Sequence, residues 1–93
     1  MTQRRTEDLK TRRQAHRKAV GRRIASARKA AKLTQAELAA KAGVDPQHLS
    51  KQERGFFLPS ADTLLRIADA CSVDPRWLAL VDDDDAPRTG TAG

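Results

Sequence analysis

The chain has 93 residues, one cysteine and a net charge of +6, which fits a single small domain without an internal disulfide. No apolar run approaches the roughly 20 residues that span a membrane, and no apolar segment follows the basic N-terminus to form a secretory signal. No Cys/His cluster has metal-ligand spacing. We therefore expect a cytoplasmic protein with no metal and no cofactor.

Basic charge is concentrated in the first third of the chain. Residues 1–33 hold twelve of the 18 Lys and Arg residues but only two of the 12 acidic residues. Such a block favours polyanions, nucleic acid before acidic membrane, and from charge alone a solvated face is an equal alternative. Residues 1–19 are polar and basic around Leu9, so they cannot fold alone. We expect a basic arm that is flexible or a helical extension.

The first two predicted helices span residues 20–31 and 35–42. In the first, apolar residues recur at helical spacing: Val20, Ile24, Ala27 and Ala31. The second begins with a capping box from Thr34 to Glu37, in which each end satisfies an N–H group of the other. Gly43 suits the left-handed position that ends a helix.

The dipeptides Asp45-Pro46 and Asp74-Pro75 each begin a further helix, because Asp is a good N-cap and proline fits the first helical position. These helices are predicted over residues 46–54 and 75–80, and another runs from Ser60 or Ala61 to about Ala70. No segment alternates as a strand does. The predicted fold is all-α, a compact five-helix bundle over residues 20–81 with a disordered acidic tail over residues 82–93.

Residues 35–54 have the helix-turn-helix arrangement, two short helices joined by a turn that contains glycine. The stretches LTQAELAAKAGV, LSKQERG, LPSADTLLRIADA and VDPRWLAL together resemble the Xre and phage-repressor-like helix-turn-helix family over residues 20–80. The resemblance implies a DNA-binding five-helix bundle, often a dimer on a palindromic operator. It also implies that the third helix lies in the major groove.

The resemblance also implies roles for individual residues. Base edges would be contacted by three residues that share one helix face: Gln47, Ser50 and Lys51. Phosphates would be contacted around the ends of the second and third helices, with further non-specific attraction from the first helix: Thr34, Gln35, Arg54, Gly55, Arg22 and Arg23. A partly buried salt bridge between Arg28 and Glu53 would tie the first helix to the third.

Several other residues are open to two interpretations. Phe56 and Phe57 are either a dimer contact or simple packing on the fourth helix. His48 is expected at the surface, and Trp77 and Cys71 are expected in the core. Gln52 stands where the family usually has an apolar residue. A buried amide needs partners, so Gln52 is either half exposed or bonded to backbone in the following loop.

These features predict a sequence-specific DNA-binding transcriptional regulator, a repressor that binds double-stranded DNA as a homodimer and is associated with the nucleoid. One alternative is the antitoxin of a toxin–antitoxin pair, with the arm or tail as the protein-binding segment. Another is an adaptor that uses the bundle for protein contacts. An enzyme is not expected, because no base neighbours Cys71 and no glycine-rich phosphate loop is present. The acidic run Asp82–Asp85 is expected to be a solvated tail, or to fold over the basic arm and compete with DNA.

Overall fold

The structure, a computed structural model, describes residues 2–79, with side chains from residue 9 onward. Within this part the chain forms no strand, which confirms the predicted all-α class. Its five helices are α1 (Thr2–Ala30), α2 (Gln35–Ala42), α3 (Pro46–Glu53), α4 (Ala61–Cys71) and α5 (Pro75–Ala79). The predicted acidic tail and the predicted last residue of the fifth helix lie outside the described residues.

Helix α1 is longer than its apolar stripe indicates, and its first part has the helical one of the two forms that the sequence left open. It begins at Thr2 and continues without a break to Ala30, although the apolar stripe predicted a helix only from residue 20. Residues 2–19 contain neither Pro nor Gly and are rich in Arg, Lys, Gln and Ala, which are good helix formers. These residues extend a helix that is already fixed by packing further along. The division into an arm over 1–19 and a domain from 20 stays a prediction.

The short helices begin and end at the residues that the sequence indicated. The Thr34 hydroxyl accepts from the Glu37 N–H at 3.1 Å, and the Glu37 carboxylate accepts from the Thr34 N–H at 2.9 Å. Gly43 ends α2 with a φ of 65°. Asp45 accepts from the first two free N–H groups of α3 at 3.0 and 3.1 Å. Local capping therefore fixes where α2 and α3 begin.

A single core joins the five helices. Each helix contributes at least one large apolar side chain with no exposed surface: Ile24, Leu38, Leu49, Ile67 and Leu78. Burial of such a side chain stabilises the fold by roughly 1.5–3 kcal/mol. The two residues that were expected in the core are also buried, Trp77 at 5% and Cys71 at 7% exposure. No helix within residues 2–79 is long and apolar enough to cross a membrane.

Two glycines allow α1 to lie directly against the end of α3. A Cβ on Gly21 would lie 2.4 Å from the backbone oxygen of Glu53 and 2.5 Å from that of Gln52. Gly55 has a φ of 81°, and a Cβ there would lie 2.7 Å from the Cα of Lys18. Any larger residue at either place would push the two helices apart. The position of α3 is therefore set by a close backbone contact with α1.

Candidate nucleic-acid interface

Helix α3 has one face in the core and one face in solvent. Leu49 is fully buried and Gln52 is 6% exposed on the inner side. On the outer side Gln47 and Lys51 are exposed, and Ser50 is half-buried. The three residues predicted to contact bases therefore lie on a surface that a duplex can approach, and their contact with bases stays a prediction.

Glu53 holds α3 to two other helices. Its Oε2 accepts from Arg28 Nε at 2.8 Å, and its Oε1 accepts from Arg28 Nη2 at 3.2 Å and from Gln35 Nε2 at 2.9 Å. Arg28 Nη1 also donates to the carbonyl of Leu33 at 2.9 Å. The two charged side chains are only 13% and 6% exposed. This bidentate ion pair joins α1 to α3 as the resemblance implied, and the bond from Gln35 adds α2.

Arg23 does not lie where the sequence analysis placed it. It was predicted to contact phosphate, but only 1% of the residue is exposed. Its Nη1 donates to the backbone carbonyl of Trp77, and its guanidinium lies 4.9 Å from the centroid of the Trp77 ring. The residue points inward because α5 offers both a carbonyl and an aromatic face at this position. Arg23 is therefore a structural residue, whereas the neighbouring Arg22 is exposed.

The predicted phosphate contact of Gly55 also needs correction. A glycine could make this contact only through its backbone N–H, but that group donates to the carbonyl of Gln52 at 3.1 Å. The next backbone N–H, that of Phe56, donates to the carbonyl of Lys51 at 3.0 Å. The residue is also buried against α1. Its N–H is used because the chain turns tightly at the end of α3, where the last carbonyls need donors.

The remaining predicted phosphate contacts lie at the ends of α2 and α3. Thr34 is exposed, with its hydroxyl oxygen accepting the cap bond from Glu37. Gln35 is half-buried, and its amide is held by Glu53. Arg54 is exposed and its Nε donates to the carbonyl of Ser50 at 3.4 Å. The contact of these three residues with phosphate stays a prediction.

The loop after α3 presents three apolar side chains to solvent. Phe56 is 60% exposed, Phe57 37% and Leu58 44%. Two of them touch polar residues of α3 or of its C-terminal end. Arg54 lies over the Phe56 ring at 4.8 Å, and the rings of His48 and Phe57 meet edge to face with centroids 5.9 Å apart. No sequence signal indicated these two contacts.

Gln52 is buried, so the expectation of a half-exposed side chain is wrong. Its Oε1 is shielded from solvent and accepts no hydrogen bond, so it does not bond to the loop. An unmade hydrogen bond of a buried polar atom costs about 1–3 kcal/mol. The backbone carbonyl of Gln52 lies at the close crossing with Gly21. The Gln52 amide therefore lowers the stability of the bundle locally.

Among the side chains of residues 9–79, four groups have shifted pKa values, and none lies on the outer face of α3. Hydrogen bonds from Thr34 lower the pKa of Glu37, and the Arg76 side chain lowers the pKa of Asp74. The bond to Asp74 in turn raises the pKa of Arg76. Burial raises the pKa of the Cys71 thiol, which disfavours the reactive thiolate. Among residues 2–79 no three His, Cys, Asp or Glu side chains are grouped so that they could hold a metal.

A short helix held by its inner face, with an exposed polar outer face next to a tight glycine turn, defines a helix-turn-helix protein. The family model described as Helix-turn-helix matches residues 24–78. The chain therefore belongs to the Xre and lambda-repressor-like helix-turn-helix family, and it is a DNA-binding transcriptional regulator.

One solved structure is similar over most of its length. The restriction-modification controller protein C.AhdI from Aeromonas hydrophila is 33% identical in sequence, with a TM-score of 0.66. The match covers 69% of this chain and 97% of that protein. No curated protein matches the chain. Because the family match begins at residue 24, residues 2–23, about three quarters of α1, fall outside it.

Proposed function

We propose that the protein is a sequence-specific transcriptional repressor that binds operator DNA as a homodimer through α3. The observation that carries this proposal is the fixed attachment of α3 combined with its exposed outer face. Gln47 and Lys51 are exposed on that face, while Glu53 on the inner side is bonded to both α1 and α2. A helix held this rigidly can present side chains to base edges without an ordering cost.

The chemistry of the outer face suits the major groove. Gln47 can form a bidentate pair with adenine, and Lys51 can donate to guanine, each worth roughly 1–3 kcal/mol of discrimination. Ser50 lies beside them and can donate to or accept from either base. Pro46 provides no donor at the first position of α3. Base contacts would therefore begin at Gln47, the second residue of the helix.

Phosphate contacts would orient the helix in the groove. Gln35 stands at the N-terminus of α2, where free N–H groups and the helix dipole attract an anion. Arg54 lies at the C-terminal end of α3, and Arg22 adds positive charge from α1. Each phosphate that is neutralised steepens the dependence of log K on log salt by about 0.9. Binding should therefore weaken strongly as the salt concentration rises.

Homodimerisation would match the protein to two half-sites of a palindromic operator. The exposed pair Phe56 and Phe57 provides an apolar surface next to α3, and burial of such a surface favours association. Repression would follow from occlusion of polymerase at the operator. We further propose, on the similarity to a restriction-modification controller protein, that the controlled genes include a restriction-modification pair.

The test is selection of bound sequences from a random pool of duplex DNA with the full chain. We expect a palindromic site with two equal half-sites, because a two-fold symmetric dimer presents α3 twice. Recovery of a single unrepeated half-site would contradict the dimer. Recovery of nothing above background would contradict sequence-specific binding altogether.

A further inference from the structure

A groove runs between the N-terminal half of α1 and the loop after α3. It is lined by Leu9, Arg12, Arg13, His16, Arg17 and Leu58, and we name it the α1–loop groove. Its floor contains two leucines that are 47% and 44% exposed. Its sides carry three guanidinium groups. The groove therefore combines apolar surface with concentrated positive charge.

The groove lies on the face of α1 that packs into the core. Leu9, Arg13, His16, Val20 and Ile24 follow one another at spacings of four, three, four and four residues, so they share one side of the helix. Val20 and Ile24 are buried by the bundle. Leu9 is on the same side and is 47% exposed, and Leu58 lines the same groove. The side of α1 that packs into the core thus continues towards the N-terminus beyond the residues that the bundle buries.

One polar atom in the groove lacks a hydrogen-bond partner. Arg17 Nε is shielded from solvent and donates to no acceptor, although a buried donor normally has one. The missing partner is an acceptor, and a carboxylate suits a guanidinium best because their bonds are charge-assisted. The groove is therefore suited to a segment with apolar and acidic residues.

The chain itself contains such a segment. After α5 ends at Ala79, the sequence continues with Leu80 and Val81 and then with the four aspartates Asp82–Asp85. We propose that this C-terminal acidic segment docks in the α1–loop groove of the same molecule, with its carboxylates facing Arg12, Arg13 and Arg17.

The end of α5 is close enough for this docking. α5 is fixed to α1 by the bond from Arg23 to Trp77. Arg17 and Arg12 precede Arg23 by six and eleven residues, which is about 9 and 16 Å along a helix. An extended segment of six residues reaches about 20 Å. The length of the segment is therefore compatible with contact between the aspartates and these arginines.

A second copy of α1 is a poorer occupant of the groove. Two such helices packed face to face would bring arginines of one copy against arginines of the other, and like charges that are brought together repel. The acidic segment has the opposite charge, and its connection to α5 makes docking intramolecular. A high effective concentration then favours docking within one molecule.

Docking would also regulate DNA affinity, a consequence that rests on the proposed function. Four carboxylates on the basic side of α1 would compete with DNA phosphates for the same arginines. The protein would then bind non-specific DNA less tightly than the block of basic residues in its first third suggests. Contacts made by α3 would be unaffected, because the groove lies along α1.

The docking is tested without DNA by paramagnetic relaxation enhancement. A nitroxide tag is attached to the full chain at Ala86→Cys in a Cys71→Ala background, and amide NMR signals are recorded from this protein after it has been labelled with ¹⁵N. We expect broadening concentrated at residues 9–17 and 58. Broadening that is absent, or that is equal over all five helices, would overturn the proposal.

Two double variants with equal charge loss provide the control. Arg12→Gln/Arg13→Gln removes charge inside the groove, and Lys29→Gln/Lys41→Gln removes it from exposed helix positions elsewhere. The broadening should disappear in the first and persist in the second. The broadening should be absent from a mixture in which one protein carries the nitroxide tag and the other, without the tag, carries the ¹⁵N label. Equal broadening in that mixture would place the segment on a second molecule and overturn docking within one chain.

The effect on DNA is measured with a non-specific duplex at low salt. Replacement of all four aspartates by asparagine should tighten this binding about tenfold, since competing carboxylates are removed. Affinity for a selected operator should rise by a similar factor, so the specificity ratio stays constant. Unchanged affinity would overturn the competition. Failure of every variant to bind any DNA would contradict the proposed function and leave the nitroxide result intact.

Discussion

Arg23 donates a hydrogen bond from Nη1 to the backbone carbonyl of Trp77 at 2.5 Å and lies over the ring of the same residue. The contact connects α1 to α5 across the bundle. We expect Arg23→Met to reduce the free energy of unfolding by about 2 kcal/mol, because a charge-assisted hydrogen bond is lost and its acceptor stays buried. Urea denaturation followed by the fluorescence of Trp77 measures this change.

The exposed neighbour Arg22 is the matched control. Arg22→Met should change the free energy of unfolding by no more than about 0.5 kcal/mol, as is typical of surface positions. It should instead flatten the salt dependence of DNA binding by about 0.9 in log–log slope if Arg22 neutralises one phosphate. Arg23→Met should leave that slope unchanged while the protein is folded. The opposite pattern would show that Arg23, not Arg22, contacts DNA.

The Arg28–Glu53 ion pair should be strongly coupled. Each side chain is largely buried, and the removal of one partner leaves the other charge unpaired, which costs about 3–5 kcal/mol. We expect Glu53→Gln and Arg28→Met each to destabilise by an amount of this order. The double variant should cost much less than the two single costs together, and a double-mutant cycle in urea tests it. Strictly additive costs would contradict a direct interaction.

Much of this fold follows from local sequence chemistry. The capping box at Thr34, the left-handed Gly43 and the Asp45-Pro46 start are decided by neighbouring residues, so α2 and α3 were predicted almost to the residue. The length of α1 was not predicted. Residues that favour helix but lack an apolar stripe can either extend a neighbouring helix or remain unstructured. Sequence alone thus located the short helices better than the long one.

The side-chain directions in the site were harder to predict. Arg22 and Arg23 are adjacent and identical, but Arg23 lies three residues after Val20 and four before Ala27, on the side of α1 that packs, and α5 covers it there. Gly55 was assigned to a phosphate on its free N–H, but the tight turn after α3 uses that group. Both errors concern contacts between residues distant in sequence or in a turn whose geometry the sequence does not specify. The ion pair between Arg28 and Glu53 was predictable only through family resemblance.

Gly21 should tolerate no side chain. A Cβ there would lie within 2.5 Å of the backbone oxygens of Glu53 and Gln52, and backbone cannot rotate away as a side chain can. We expect Gly21→Ala to destabilise by roughly 1–3 kcal/mol, the usual cost of overpacking. Gln14→Ala, at an exposed position of the same helix, should be neutral or slightly stabilising. Equal stability of Gly21→Ala and the wild type in urea would contradict the close crossing.

Lys51 should determine sequence preference and not overall affinity. We expect Lys51→Ala to relax the preference at one position of each half-site, by about 1–3 kcal/mol of discrimination, since one donor to a base edge is lost. Arg22→Ala should weaken binding to all sequences alike. Competitive binding to a set of single-base operator variants separates these effects. If both variants weaken every sequence by the same factor, Lys51 contacts the backbone and not a base.

Phe57 tests the proposed dimer. Its side chain is 37% exposed next to the 60% exposed Phe56, so its replacement removes apolar surface without opening the core. We expect Phe57→Ser to shift the dimer–monomer equilibrium towards monomer while the Trp77 fluorescence of the folded state is kept. Leu65→Ser is the control, because Leu65 is 56% exposed on α4 and lies outside the proposed contact. Sedimentation velocity over a range of concentrations should show a weaker dimer only for Phe57→Ser. An unchanged oligomeric state in that variant would place the dimer interface elsewhere on the protein.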